Sequence, residues 1–226
     1  MLLGTLVNVV LVLIGGFVGL FLKKGISKRL SDLIMHAIAL VTMVIGINFA
    51  TASENMLIVI ISLVVGALIG EGINIDKRLN QLGDLIKSKV KSESGNVGEG
   101  FVTATLLFCV GSMAIMGALD SGLRGDHTVL YTKAIMDGIS ALIFASSMGI
   151  GVLLSAVPIL LYQGSITLLS SFIQPYLTQS MMTEMNGVGG ILLIGLGISI
   201  LGIKEIKVSN LLPALVIPVI LLAFIG

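Results

Sequence analysis

Apolar residues run along this chain in long blocks, separated by short charged clusters instead of alternating with polar positions. Uncharged runs cover residues 1–22, 33–53, 55–70, 100–119, 138–183, 185–203 and 208–226. A hydrocarbon layer about 30 Å thick is crossed by roughly 20 apolar residues in a helix, so nearly every run matches one crossing. The exception is 138–183, whose 46 residues would extend about 69 Å as a single helix at about 1.5 Å per residue. It must contain a return, and Gly149-Ile150-Gly151 is the expected place. Crossings are therefore expected at about 4–22, 31–50, 55–70, 101–119, 132–150, 152–165, 185–203 and 209–225. Residues 166–183 are too polar for a further crossing and are expected at the membrane interface. A transmembrane barrel needs alternating positions, which Ile191-Leu192-Leu193-Ile194 does not provide.

Composition leads to the same class. Of the 226 residues 56% are hydrophobic and 11% charged, against roughly 25% charged in soluble domains, and the mean hydropathy is +1.12. The 28 glycines suit close helix packing in lipid. Trp is absent and there are three Tyr, so the usual interfacial aromatic belt gives no guidance. A net charge of +1 offers no basic stripe for nucleic acid. Met1–Leu22 has no basic leader, and Lys23-Lys24 follows it, which is expected of an uncleaved first helix with its N-terminus outside.

The basic residues orient the spans. With eight crossings and both termini outside, 11 Lys and Arg lie inside: Lys23, Lys24, Lys28, Arg29, Lys77, Arg78, Lys87, Lys89, Lys91, Lys204 and Lys207. Only Arg124 and Lys133 lie outside. Merging the fifth and sixth crossings worsens the split. Between residues 71 and 100, Leu79, Leu82, Ile86 and Val90 recur at helical spacing among charged residues, predicting a cytoplasmic amphipathic helix and linker over 75–98.

The two halves carry an internal similarity. GTLVNVVLVLIGG (4–16) aligns with GFVTATLLFCVGS (100–112), residues 27–46 align with 132–151, and VVGALIGEGIN (64–74) aligns with AVPILLYQGSI (156–166). Units of three crossings place the second copy upside down, the arrangement of many secondary transporters. The expected fold is an all-α polytopic membrane protein with about eight transmembrane helices. It has a 3+3 inverted repeat, of units 1–74 and 99–180, and a C-terminal helix pair over 181–226.

Ionisable groups within crossings are functional candidates by default. Asp137 is expected a few residues into the fifth crossing, with Lys133 one turn before it as its nearest partner. Gln163 falls where the sixth crossing is expected to unwind, helped by Pro158, and Glu71 occupies the matching place in the first half. Ser146, Ser147 and Ser155 flank the glycine break, and Asn48 ends the second crossing. Together these form a candidate substrate- or ion-binding set, although Ser hydroxyls often bond only to their own helix. Asp32 and His36, four apart, form a weaker candidate proton relay. His127 is expected to be solvated in an outside loop. Gly15/Gly19 and Gly66/Gly70 read as helix-packing faces.

Two His, one Cys and no HExxH motif give no zinc site, no nucleotide-binding loop occurs in the hydrophilic parts, and no enzyme activity is expected. The segments VTATLLFCVGSMAIMG, KAIMDG, ASSMGIGV, SAVPILLYQGSITLL and LGIKEIKVSNLLPALVI resemble, over essentially the whole chain, the bacterial inner-membrane family of the YqgA/YdfK type. This is a domain family of unknown function, and the resemblance implies a small multi-spanning protein with no substrate, cofactor or site residue to carry across. The leading functional expectation is a small secondary transporter with Na⁺ or H⁺ as the candidate coupling ion and no other cofactor. Its partners would be the lipid bilayer and a small-molecule or ion substrate, with homo-oligomerisation open. The alternatives are a non-transporting scaffold that binds a partner, and a passive channel.

Overall fold

A computed structural model describes residues 1–23, 28–78, 81, 97–109 and 112–225. Most of the expected amphipathic helix, and its linker, lie outside the described residues. The described elements are α1 (Leu3–Lys23), α2 (Lys28–Thr51), α3 (Met56–Ile73), α4 (Val97–Cys109), α5 (Ser112–Leu123), α6 (Thr128–Met148), α7 (Gly151–Leu154), α8 (Ala156–Leu168), α9 (Ser170–Ile173) and α10 (Gln179–Ile200). A 3₁₀ helix, Val208–Leu215, and α11 (Ile217–Ile225) follow.

Among the described residues six stretches are long and apolar enough to cross a membrane: α1, α2, α3, α6, α7–α8 and α10. A seventh is added if α4 and α5, which meet at 58°, count as one. The last expected crossing, 209–225, takes a different form. Pro213 and Pro218 withhold backbone donors there, and the segment is a 3₁₀ helix followed by a short α-helix. Large apolar side chains such as Leu57, Ile60, Val64 and Leu68 on α3 are exposed. Such a surface is stable against lipid and costly against water.

The chain divides into two compact units, Met1–Ile34 with Gly83–Pro175, and Met35–Leu82 with Tyr176–Gly226. In the first, α1 runs parallel to α6. A Cβ on Gly4 would meet Leu130, one on Gly15 the Gly138 carbonyl, and one on Gly19 the Leu142 carbonyl. The missing side chains of this face allow backbone-to-backbone contact at Gly15 and Gly19 and let Leu130 seat against Gly4. Phe108 of α4 is fully buried, its ring 6.3 Å from that of Phe144 on α6. The expected return is where α6 ends: Gly149 has φ 82°, ψ −152°, a conformation open to glycine but strained for other residues. Beyond it, residues 162–165 do not unwind. They are helical within α8, and Pro158 sits in that helix's first turn, where a missing N–H leaves no bond unmade.

In the second unit, residues 35–51 of α2 run antiparallel to α10. A Cβ on Gly46 would meet Gly190 and Ile194, and one on Gly197 would meet Met43. The α3 face bearing Gly66 and Gly70 lies on the backbone of the 3₁₀ helix at Ala214 and Asn210. Both glycine pairs singled out in the sequence are packing faces.

Candidate functional site

Asp137 is the tenth of the 21 residues of α6, not near its start, because α6 begins at Thr128. Lys133 is the sixth residue of the same helix. Its Nζ lies 2.9 and 2.8 Å from the two Asp137 carboxylate oxygens, and both residues are 6% exposed. The glycine face of α1 brings in a third group that sequence reading overlooked. Asn8 is fully buried and donates from Nδ2 to Asp137 Oδ2 at 3.0 Å and to Gln163 Oε1 of α8 at 3.3 Å. Gln163 is fully buried as well.

Three helices, α1, α6 and α8, are thus joined through Asn8, which reaches both the Asp137 carboxylate and Gln163. The cluster is neutral overall, since one ammonium balances one carboxylate. Two polar atoms in it are buried and without a hydrogen-bond partner among the described residues, the Asn8 carbonyl oxygen Oδ1 and the Gln163 amide nitrogen Nε2. The Thr5 hydroxyl, one turn before Asn8, and that of Thr167, one turn after Gln163, are in the same condition. Buried polar groups are normally satisfied, so the site offers a guest both an acceptor and donors.

Other expected members do not join this cluster. Ser146 and Ser155 are buried, but their hydroxyls donate to the Ile143 and Val152 carbonyls of their own turns. Ser147 is also buried in this unit. Asn48 and Glu71 belong to the second unit and are exposed. Glu71 accepts from Asn210 Nδ2 at 2.6 Å, at the polar end of an open groove of about 690 Å³ between α3 and the 3₁₀ helix. Asp32 and His36 are exposed on α2. His127 is not simply solvated: it is half-buried, with Nδ1 2.8 Å from Ser121 Oγ, which itself donates to the Met1 carbonyl.

A second buried carboxylate, also missed, lies in the other unit. Glu184 of α10 is 2% exposed and accepts from Ser53 Oγ at 2.6 Å and from the backbone N–H groups of Glu54 and Asn55 at 2.9 and 3.0 Å. It anchors the turn that leads into α3, where Asn55 is the N-cap. Among the described residues no three His, Cys, Asp or Glu are grouped to hold a metal ion.

Residues 3–223 match the family model described as protein of unknown function DUF554. The chain belongs to this family. It is 38% identical over 219 residues to the uncharacterized membrane protein YdfK of Bacillus subtilis (strain 168), covering 95% of this chain and 93% of that one. It is 32% identical over 222 residues to the uncharacterized protein YqgA of Escherichia coli (strain K12), covering 96% and 94%. No solved structure matches. The resemblance read from the sequence motifs is therefore correct, and the chain is a bacterial multi-pass membrane protein.

Proposed function

We propose that this DUF554 protein is a small secondary transporter that moves an ion or small solute by alternating access, with the Asp137 centre as its binding site and Na⁺ or H⁺ as the coupling ion. One observation carries the reading: a charged pair and two amides are gathered from three helices at the middle of α6, with an unused acceptor on Asn8 and an unused donor on Gln163. Ionised groups inside a membrane protein are expensive and mark ion or substrate pathways. Fixing a helix pair would not require them, because the glycine face of α1 already does so.

In this reading the 3+3 inverted repeat supplies the pseudo-symmetry for alternating access, although the two compact units cut across its copies, and the protein carries out no covalent chemistry. The chain sits in the bacterial inner membrane with both termini outside. The test is flux of ions and small solutes in proteoliposomes. Asp137→Asn and Gln163→Ala should each abolish saturable, gradient-coupled uptake. Uptake unchanged in both variants would refute the assignment, and conductance far above turnover by μs–ms conformational steps would favour a channel.

A further inference from the structure

The occupant of Asp137 in this structure is the chain's own ammonium. Lys133 Nζ sits against both carboxylate oxygens, at 2.8 and 2.9 Å, and the pair is shielded from solvent on all but 6% of each residue. Asn8 faces the same carboxylate through its Nδ2, which also holds the Gln163 Oε1 amide oxygen, and its own Oδ1 is buried without a hydrogen-bond partner among the described residues. Carboxylate and amide oxygens such as those of Asp137 and Gln163 are donors of the kind hard cations prefer. A single carboxylate balances one positive charge.

That charge is already supplied by Lys133. Two monovalent cations on one carboxylate in an apolar interior repel strongly at contact distance, and a buried charge left uncompensated is heavily penalised. A metal ion therefore reaches Asp137 only when the ammonium leaves. The lysine stem has the freedom to do this, being a flexible four-carbon chain placed one turn closer than Asp137 to the start of α6. We propose that Lys133 is a tethered competitor, so that a monovalent metal ion occupies the Asp137 carboxylate only as Lys133 withdraws. This rests on Asp137 being the ion site of the proposed transporter, and it assigns Lys133 the role of setting that site's affinity.

The experiment is equilibrium binding of ²²Na⁺ to the full chain in detergent, compared among wild type, Lys133→Gln, Lys133→Arg, Asp137→Asn and the Lys133→Gln/Asp137→Asn double variant. Lys133→Gln should bind Na⁺ at least about tenfold more tightly than wild type, a difference of about 1.4 kcal/mol. The double variant should lose the gain. Lys133→Arg, whose fork holds a carboxylate at two points and keeps its charge, should bind no more tightly than wild type. The idea is overturned if Lys133→Gln shows no gain, if the gain survives in the double variant, or if neither protein binds Na⁺. Should Lys133→Gln fail to fold, tighter binding by Lys133→Arg than by wild type overturns it on its own, and weaker binding supports it. Binding in detergent is independent of flux: competition without Asp137-dependent transport defeats only the transporter, and transport with no Lys133 effect on Na⁺ binding defeats only the competition.

Discussion

Asn8 donates its side-chain amide to Asp137 at 3.0 Å, joining α1 to α6 across 129 positions of chain. The same nitrogen also holds Gln163, so one residue organises the amides and the carboxylate. Asn8→Ala should leave Gln163 Oε1 without its donor and Asp137 with one fewer. Hydrogen bonds to charged groups contribute about 1.5–3 kcal/mol, and the melting temperature in detergent should fall accordingly. Uptake, if the transporter reading holds, should fall more steeply than stability.

The Lys133–Asp137 pair separates structural from functional roles. Asp137→Asn strands a buried ammonium and should cost about 3–5 kcal/mol. Replacing both members by apolar residues, as in Lys133→Met/Asp137→Leu, should restore most of that stability, because desolvated ion pairs are often no better than well-packed hydrophobes. Transport should not return. Thermal unfolding beside proteoliposome uptake checks both halves, and a stable double variant with normal uptake would contradict the assignment.

Two glycines on α3 should answer in opposite directions. A Cβ on Gly70 would overlap the Asn210 carbonyl oxygen, whereas one on Gly72 meets nothing within 4 Å. Gly70→Ala should destabilise by about 1–3 kcal/mol through overpacking. Gly72→Ala should be neutral, or stabilising by up to about 1 kcal/mol from helix propensity. Comparing the two melting curves tests whether the 3₁₀ helix lies on this face.

Glu184 accepts three hydrogen bonds, two of them from backbone N–H groups with no helical partner. Glu184→Ala should release the turn before α3 and cost about 3 kcal/mol or more, at the upper end for bonds to a charged group. Hydrogen exchange should locate the damage: the amides of Glu54 and Asn55 should lose protection before the centre of α3 does.

The proposed orientation follows from the distribution of lysines and arginines, and labelling tests it. In a Cys109→Ser background, a cysteine at the exposed Asp126 position should react with a membrane-impermeant maleimide in intact cells. One at the exposed Lys77 position should react only after permeabilisation. The reverse pattern would invert the topology.

The membrane class, the return at Gly149 and the glycine faces were legible in the sequence because each depends on local composition or on one backbone conformation. Lys133 as partner of Asp137 was legible too, since helical spacing alone puts them on one face. The rest depended on tertiary proximity. Asn8 lies within an otherwise almost wholly apolar run, and that was the available signal: a lone amide in such a helix needs a partner. Its partner was not readable, because helix pairing leaves little trace in a uniformly apolar pattern. Glu71 was grouped with Gln163 by symmetry between the halves and Asn48 by its place at the end of a crossing, and both belong to the other compact unit. Gln163 was located correctly but with the wrong backbone, since a proline early in a helix leaves it intact whereas one further along breaks it.

The parallel contact of α1 with α6 also constrains how the protein is made. Helix α1 leaves the ribosome with its glycine face and Asn8 directed at residues that are synthesised more than a hundred positions later. Until Thr128–Met148 enters the bilayer, that face must rest against lipid or be shielded by the insertion machinery. An amide left in hydrocarbon at that stage invites pairing with the wrong helix. Slowed synthesis between α1 and α6 would therefore lower the yield of correctly assembled protein without altering any contact in the finished molecule.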